Sequence, residues 1–132
     1  MNTKILMTAS ALFLGIIGIL LSFFPQEIAN YLNFDTNLIS ILFLQILSSL
    51  YLGFGILNWM AKGNLIGGIY SRPLAIGNLM HFAVSAIAFI KITFKIQTNF
   101  EFILSLTIIY SIFTLCFAYI FMTNPSKINN PK

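Results

Sequence analysis

The chain is built from long apolar runs separated by short polar interruptions, and the runs are continuous where a water-soluble helix would show a stripe. Four stretches, residues 5–24, 38–60, 74–94 and 100–122, contain at most one charged side chain each. At 1.5 Å per residue each reaches roughly 30 Å, the thickness of a bilayer's hydrocarbon core. Lipid offers no partner for a free backbone N–H or C=O, so a segment at that depth must be helical. The pattern predicts an all-α membrane protein, a four-transmembrane-helix bundle that forms a single membrane domain over residues 1–132.

The interruptions refine this picture. Lys4 precedes the first run, as in a secretory signal, but the apolar core is too long and SFFPQ at residues 22–26 offers no small-x-small cleavage site. The run is therefore expected to be a retained first helix, ended by Pro25, which lacks the N–H that the next turn needs. Between the first two spans, PQEIANYLNFDTN sets Ile28, Tyr31, Leu32 and Phe34 among polar residues. That pattern predicts a short interfacial helix after helix 1. KITFKIQTNFE at residues 91–101 is expected to be a tight hairpin, and the polar, proline-punctuated tail over 123–132 to be flexible. Tyr31, Trp59, Tyr70 and Tyr119 fall near the span edges, where amphipathic rings are most stable.

Composition agrees with the pattern. The chain is 58% hydrophobic and only 8% charged, with a mean hydropathy of +0.92, too little polar surface to cover a globule in water. The net charge of +4 comes from seven scattered basic residues that form no stripe, which excludes nucleic-acid binding. Orientation follows from the positive-inside rule. Lys4, Lys62, Arg72, Lys127 and Lys132 belong to one side; Lys91, Lys95 and all three acids, Glu27, Asp35 and Glu101, belong to the other. This predicts a multi-pass protein of the bacterial inner (cytoplasmic) membrane with both termini cytoplasmic.

Few groups remain for chemistry. The single cysteine, Cys116, excludes a disulfide framework and the disulfide-exchanging quinone oxidoreductases. Polar residues inside spans are the default functional candidates. Span two carries Gln45, Ser48 and Ser49, which helical spacing groups with Leu52, with Gly53 and Gly55 at the margins. Span three carries Asn78, His81 and Ser85 on one face, and span four carries Thr107, Tyr110, Ser111 and Thr114. Gln45, Ser49, Asn78, His81 and Ser85 are therefore the candidate intramembrane polar site. The bland account of such stripes is close helix packing, which Gly15 and Gly18 also fit.

His81 is the one membrane residue whose charge changes near neutral pH. A proton relay needs acidic partners, and the only acid in a span is Glu101 at an end. His81 is thus expected to be neutral and hydrogen-bonded to Asn78, Tyr51 or a backbone carbonyl. The same lack of an embedded carboxylate excludes proton-coupled export of the small-multidrug-resistance type. One His and one Cys are no metal ligand set, so neither metal nor cofactor is expected. Lys91 and Lys95, four apart, read as snorkelling residues paired at the surface with Glu101.

The connection NWMAKGNLIGGIYSRP at residues 58–73 holds the only Trp and the only Arg, and six of the eight glycines lie between Gly53 and Gly77. Gly67 and Gly68 permit positive φ, and with Arg72 they form a candidate anion or lipid-headgroup site.

The segments PQEIANYL after the first span, YLGFGILNWMAKG closing the second and GGIYSRPLAIGNLMHF opening the third resemble those of small four-helix bacterial membrane proteins of the DoxX-like type. The likeness covers most of the chain in length and hydropathy. It implies a cytoplasmic-membrane location and a four-helix fold, and supplies no active site. The N-terminal Gly-rich Arg signature of the small fluoride channels is missing. The function expected from these readings is that of a non-catalytic, membrane-embedded accessory or lipid- and small-ligand-binding subunit. Its partners are membrane lipids and either a second copy of itself or another membrane protein. The alternatives are a small channel or carrier with a polar path between helices 2 and 3, and a quinone- or lipid-modifying enzyme using His81 as base.

Overall fold

A computed structural model of the chain describes residues 2–64, 66 and 71–123. Every regular element among them is a helix: α1 (Thr3–Phe23), α2 (Pro25–Tyr31), α3 (Leu38–Ala61), α4 (Arg72–Thr93) and α5 (Phe100–Met122). The four long helices are each long and apolar enough to cross a membrane, and their bounds lie within about two residues of the spans expected from the sequence. A short helix follows the first, as its amphipathic pattern predicts. The protein is therefore an all-α, multi-pass membrane protein. The tail after Thr123, with Lys127 and Lys132, lies outside the described residues, as do Gly67, Gly68 and Tyr70.

The boundaries are set by local chemistry. The Asn2 side chain caps α1 by accepting from Lys4 N at 3.1 Å. Helix α1 ends at Phe23, and Pro25 starts α2, where its missing N–H is one the first turn would leave unpaired anyway. Helix α2 closes in a Schellman turn: Asn33 takes φ 54°, its N–H bonds to Asn30 O at 3.1 Å, and Phe34 N–H bonds to Ala29 O at 2.8 Å. Asp35 then accepts from the Asn37 side chain at 2.8 Å, and Asn37 in turn accepts from Ser40 N at 2.8 Å to cap α3. At the other hairpin Asn99 adopts φ 57° immediately before α5, a conformation asparagine tolerates better than most residues.

The chain falls into two compact units, residues 1–63 and 64–132. In the first, α1 and α3 run antiparallel, since Ser10 meets Asn58 while Gly18 meets Leu52. Lys4 and Lys62 therefore sit at one end of this pair, and Glu27 and Asp35 at the other. In the second, α4 and α5 are antiparallel, with Phe82 stacked on Phe117 near one end and Thr93 against Thr107 near the other.

The burial pattern is inverted relative to a soluble protein. Leu12, Ile16, Ile19 and Phe23 form an exposed ladder on α1, whereas Ser10, Ser48, Asn58, Asn78 and Thr107 are buried. Such a continuous apolar exterior belongs in lipid.

Close backbone approach holds the first unit. A Cβ on Gly55 would lie 3.1 Å from Gly15 N and 3.3 Å from Ala11 O, and one on Gly18 would lie 2.7 Å from Leu52 Cγ. Because the obstacle at Gly55 is backbone, it yields only if a helix moves. A Cβ on Gly15 meets nothing within 4 Å. We expect Gly55→Ala to destabilise the protein by about 1–3 kcal/mol through overpacking, and Gly15→Ala to be neutral or stabilising by up to about 1 kcal/mol. Unfolding titrations with SDS in mixed micelles check both.

Candidate functional site

The sequence candidates fall in both units. On α3, Gln45 and Ser49 are exposed and Ser48 is buried, so the structure divides the polar group that helical spacing placed together. The Ser48 hydroxyl donates to Gln45 O at 2.6 Å and that of Ser49 to Ile46 O at 2.7 Å. On α4, Asn78 is fully buried and donates its amide to Leu74 O at 3.0 Å, while His81 and Ser85 are half-buried beside it. These three do share one face of their helix.

His81 belongs to an aromatic cluster. Its ring meets Phe82 edge-on at 5.1 Å between centroids and lies 6.1 Å from Tyr110 of α5. Phe82 in turn stacks on Phe113 at 4.7 Å and on Phe117 at 5.5 Å, and Tyr110 meets Phe89 at 5.0 Å. Offset and edge-on pairs of this kind add about 0.5–1.5 kcal/mol each beyond the area they bury. The cluster is the packed core of the α4/α5 unit, and His81 stands at its edge.

The polar stripe of α5 is occupied locally. Thr107, Ser111 and Thr114 each donate to the carbonyl four residues earlier at 2.7–2.8 Å, the back-bonding that lets hydroxyl residues sit in a helix without a free donor. Thr107 and Thr93 also approach each other at 2.9 Å, while Thr93 lies 2.7 Å from Phe89 O. Two hydroxyl protons serve three contacts, so one threonine donates across the interface and the other donates to its own helix.

Two of the most buried polar residues lie outside the candidate site that helical spacing predicts. Asn58 and Ser10 have no solvent exposure, and the Asn58 amide donates to the Ser10 hydroxyl at 3.0 Å, which donates to Met7 O at 3.1 Å. Asn58 was grouped with the connection that follows it, yet Ser48, Tyr51, Gly55 and Asn58 recur at intervals of three, four and three. That series marks a single helix face and is the signal that could have found it. One turn further, Lys62 places its ammonium 2.9 Å from the centroid of the Trp59 ring, a cation–π contact suited to a membrane edge.

Of the candidate anion site, only Arg72 is described: it is exposed and is the first residue of α4, followed by Pro73. Gly67 and Gly68 lie outside the described residues. Lys91, Lys95 and Glu101 are all exposed. Among the described residues no three His, Cys, Asp or Glu side chains come together as metal ligands.

No protein-family model, curated protein or solved structure matches the chain.

The Ser10–Asn58 contact has a measurable consequence. A double-mutant cycle of Ser10→Ala and Asn58→Ala, read by unfolding in mixed micelles, is expected to give a coupling energy of about 0.6 kcal/mol and no more than about 1.7 kcal/mol. The single Ser10→Ala change is expected to be the more destabilising of Ser10→Ala and Ser49→Ala, because only Ser10 serves a buried partner.

Proposed function

We propose that the protein is a non-catalytic, membrane-embedded accessory subunit that binds lipid or another membrane component through its apolar exterior. One observation carries this reading: three polar side chains of the spans bond within their own helix pair, Asn58 to Ser10, Thr93 to Thr107 and Asn78 to Leu74 O. Groups employed in packing are not held ready for a substrate. A nucleophile activated by a neighbouring base would instead be poised at an accessible boundary. His81, the one candidate base, lies against Phe82 and Tyr110.

The setting we propose is the bacterial inner membrane with both termini cytoplasmic. An even number of crossings returns the chain to its starting side. Placing Lys4, Lys62 and Arg72 inside satisfies the positive-inside rule and leaves Glu27, Asp35 and Glu101 outside. The DoxX-like resemblance of the segments around α2, α3 and α4 supports the same setting.

Native mass spectrometry from a gentle detergent tests the proposal. The chain is expected to retain phospholipid or a second membrane subunit. Solute flux in proteoliposomes that saturates with substrate and is abolished by His81→Leu would overturn it. For the orientation, a phosphatase fused after residue 63 is expected to be inactive and one fused after residue 97 active; the reverse pattern inverts the topology.

A further inference from the structure

Helix α3 carries two unlike faces. Ser48, Tyr51, Gly55 and Asn58 are buried, against α1 at Gly55 and Asn58. Gln45, Ser49 and Gly53, at intervals of four, line an exposed strip set in bulky apolar residues that include Leu42, Ile46 and Ile56. Two independent features of this strip call for a neighbour.

The first is the Gln45 amide. It lies seven residues into a 24-residue helix, about 10 Å from its end and so within the hydrocarbon core of a spanning helix. Among the described residues its side chain has no hydrogen-bond partner. A primary amide left in lipid with two donors and an acceptor carbonyl is strongly disfavoured, and the remedy is a polar partner at the same depth.

The second is Gly53. A Cβ there would meet nothing within 4 Å, so unlike Gly18 and Gly55 it has no packing role inside its own unit, although glycine weakens a helix relative to alanine. Ser49 and Gly53 together form a small-xxx-small pair of the type that lets two membrane helices approach closely. With its own proton directed to Ile46 O, the Ser49 hydroxyl keeps its oxygen lone pairs for an incoming donor.

We propose that this strip is a self-association surface, and that its occupant is the same strip of α3 in a second copy of the chain. The amide supplies the argument for a like partner. It is self-complementary, with Oε1 accepting from the other copy's Nε2 while its own Nε2 donates back. Two copies inserted with the same orientation are related by an axis along the membrane normal, which runs the two α3 helices parallel and places Gln45 opposite Gln45 at equal depth. The same operation sets Ser49 and Gly53 against their counterparts, where the missing side chain admits the partner backbone. This goes beyond the accessory role proposed above, because that role would survive in a monomer.

The test uses the full chain reconstituted in phosphatidylcholine vesicles, with Cys116→Ala as background. Single cysteines at Gln45, Ser49 and Gly53 are expected to yield disulfide-linked dimers on mild oxidation. Cysteines at Phe43 and Leu47, exposed elsewhere on the same helix, are expected not to. Dimerisation measured by energy transfer as the protein is diluted into lipid is expected to weaken roughly tenfold for Gln45→Leu, the loss of two interhelical hydrogen bonds. Gly53→Leu, which the open space around Gly53 allows without disturbing the fold, is expected to weaken it at least as much. Equal cross-linking at all five positions, a monomer at every dilution, or full dimerisation in both variants overturns the proposal. So does recovery of the chain bound through this strip to a protein of different sequence.

Discussion

Everything in this protein answers to the absence of water around its helices. In lipid a polar group finds only the partners that protein supplies, so the backbone must be helical and most hydroxyl side chains bond near home. The hydroxyls of Ser48, Ser49, Thr107, Ser111 and Thr114 all donate to carbonyls three or four residues back on their own helices. That satisfies the donor before any tertiary contact forms. Only where two helices bring such groups within reach does a bond cross between them, as at Ser10 with Asn58 and at Thr93 with Thr107.

The same constraint removes the force that packs soluble helices. Lipid tails are as apolar as leucine, so side-chain burial gives no net gain, and close contact must supply the attraction. The two units meet this in different ways. The α1/α3 pair brings backbone to backbone at Gly55 and Gly15, maximising dispersion over a narrow seam. The α4/α5 pair instead interdigitates rings, with Phe82 at the centre of a cluster that includes Phe113, Phe117 and Tyr110. Glycine gives a narrow seam in which a Cβ added at Gly55 would force the facing backbone to move. Aromatic rings fill a wider gap and concentrate their contacts on a few large side chains.

The fold was almost fully legible in the sequence, since run length, Pro25 and the Asn-rich breaks at residues 30–37 determine helix ends through local chemistry. The short α2 was legible for the same reason. The candidate site was less so. Helical spacing placed Gln45, Ser48 and Ser49 together, but a 100° step between neighbours separates Ser48 from Ser49 once a partner helix chooses a side, and α1 chose the side of Ser48 and Gly55. Gly15 and Gly18 looked equivalent, yet Gly18 accommodates Leu52 while Gly15 offers its backbone to Gly55. Pairing of this kind depends on two helices at once and cannot be read from either alone. Asn58 is hidden by its surroundings: it lies inside the expected span 38–60, but the change of composition toward Trp59, Lys62 and Gly63 groups it with the connection and not with the polar face of the helix.

The position of Asn58 shows how one buried amide fixes a helix pair. Apolar contacts between membrane helices vary little when one helix slides along the other, so they leave the register weakly determined. The Asn58–Ser10 bond and the Gly55–Gly15 approach are one turn apart on α3 and little more than one turn apart on α1. A slip of four residues toward the C-terminal end of α1 would set Asn58 against Leu14 and Gly55 against Ile19, and a slip of three the other way would set Asn58 against Met7 and Gly55 against Leu12, so Asn58 loses the Ser10 hydroxyl and a bulky side chain replaces Gly15 at Gly55. Both contacts fail together under the same displacement, so each reinforces the other's choice of register. A directional bond that is worth little as energy thereby contributes specificity out of proportion to its strength.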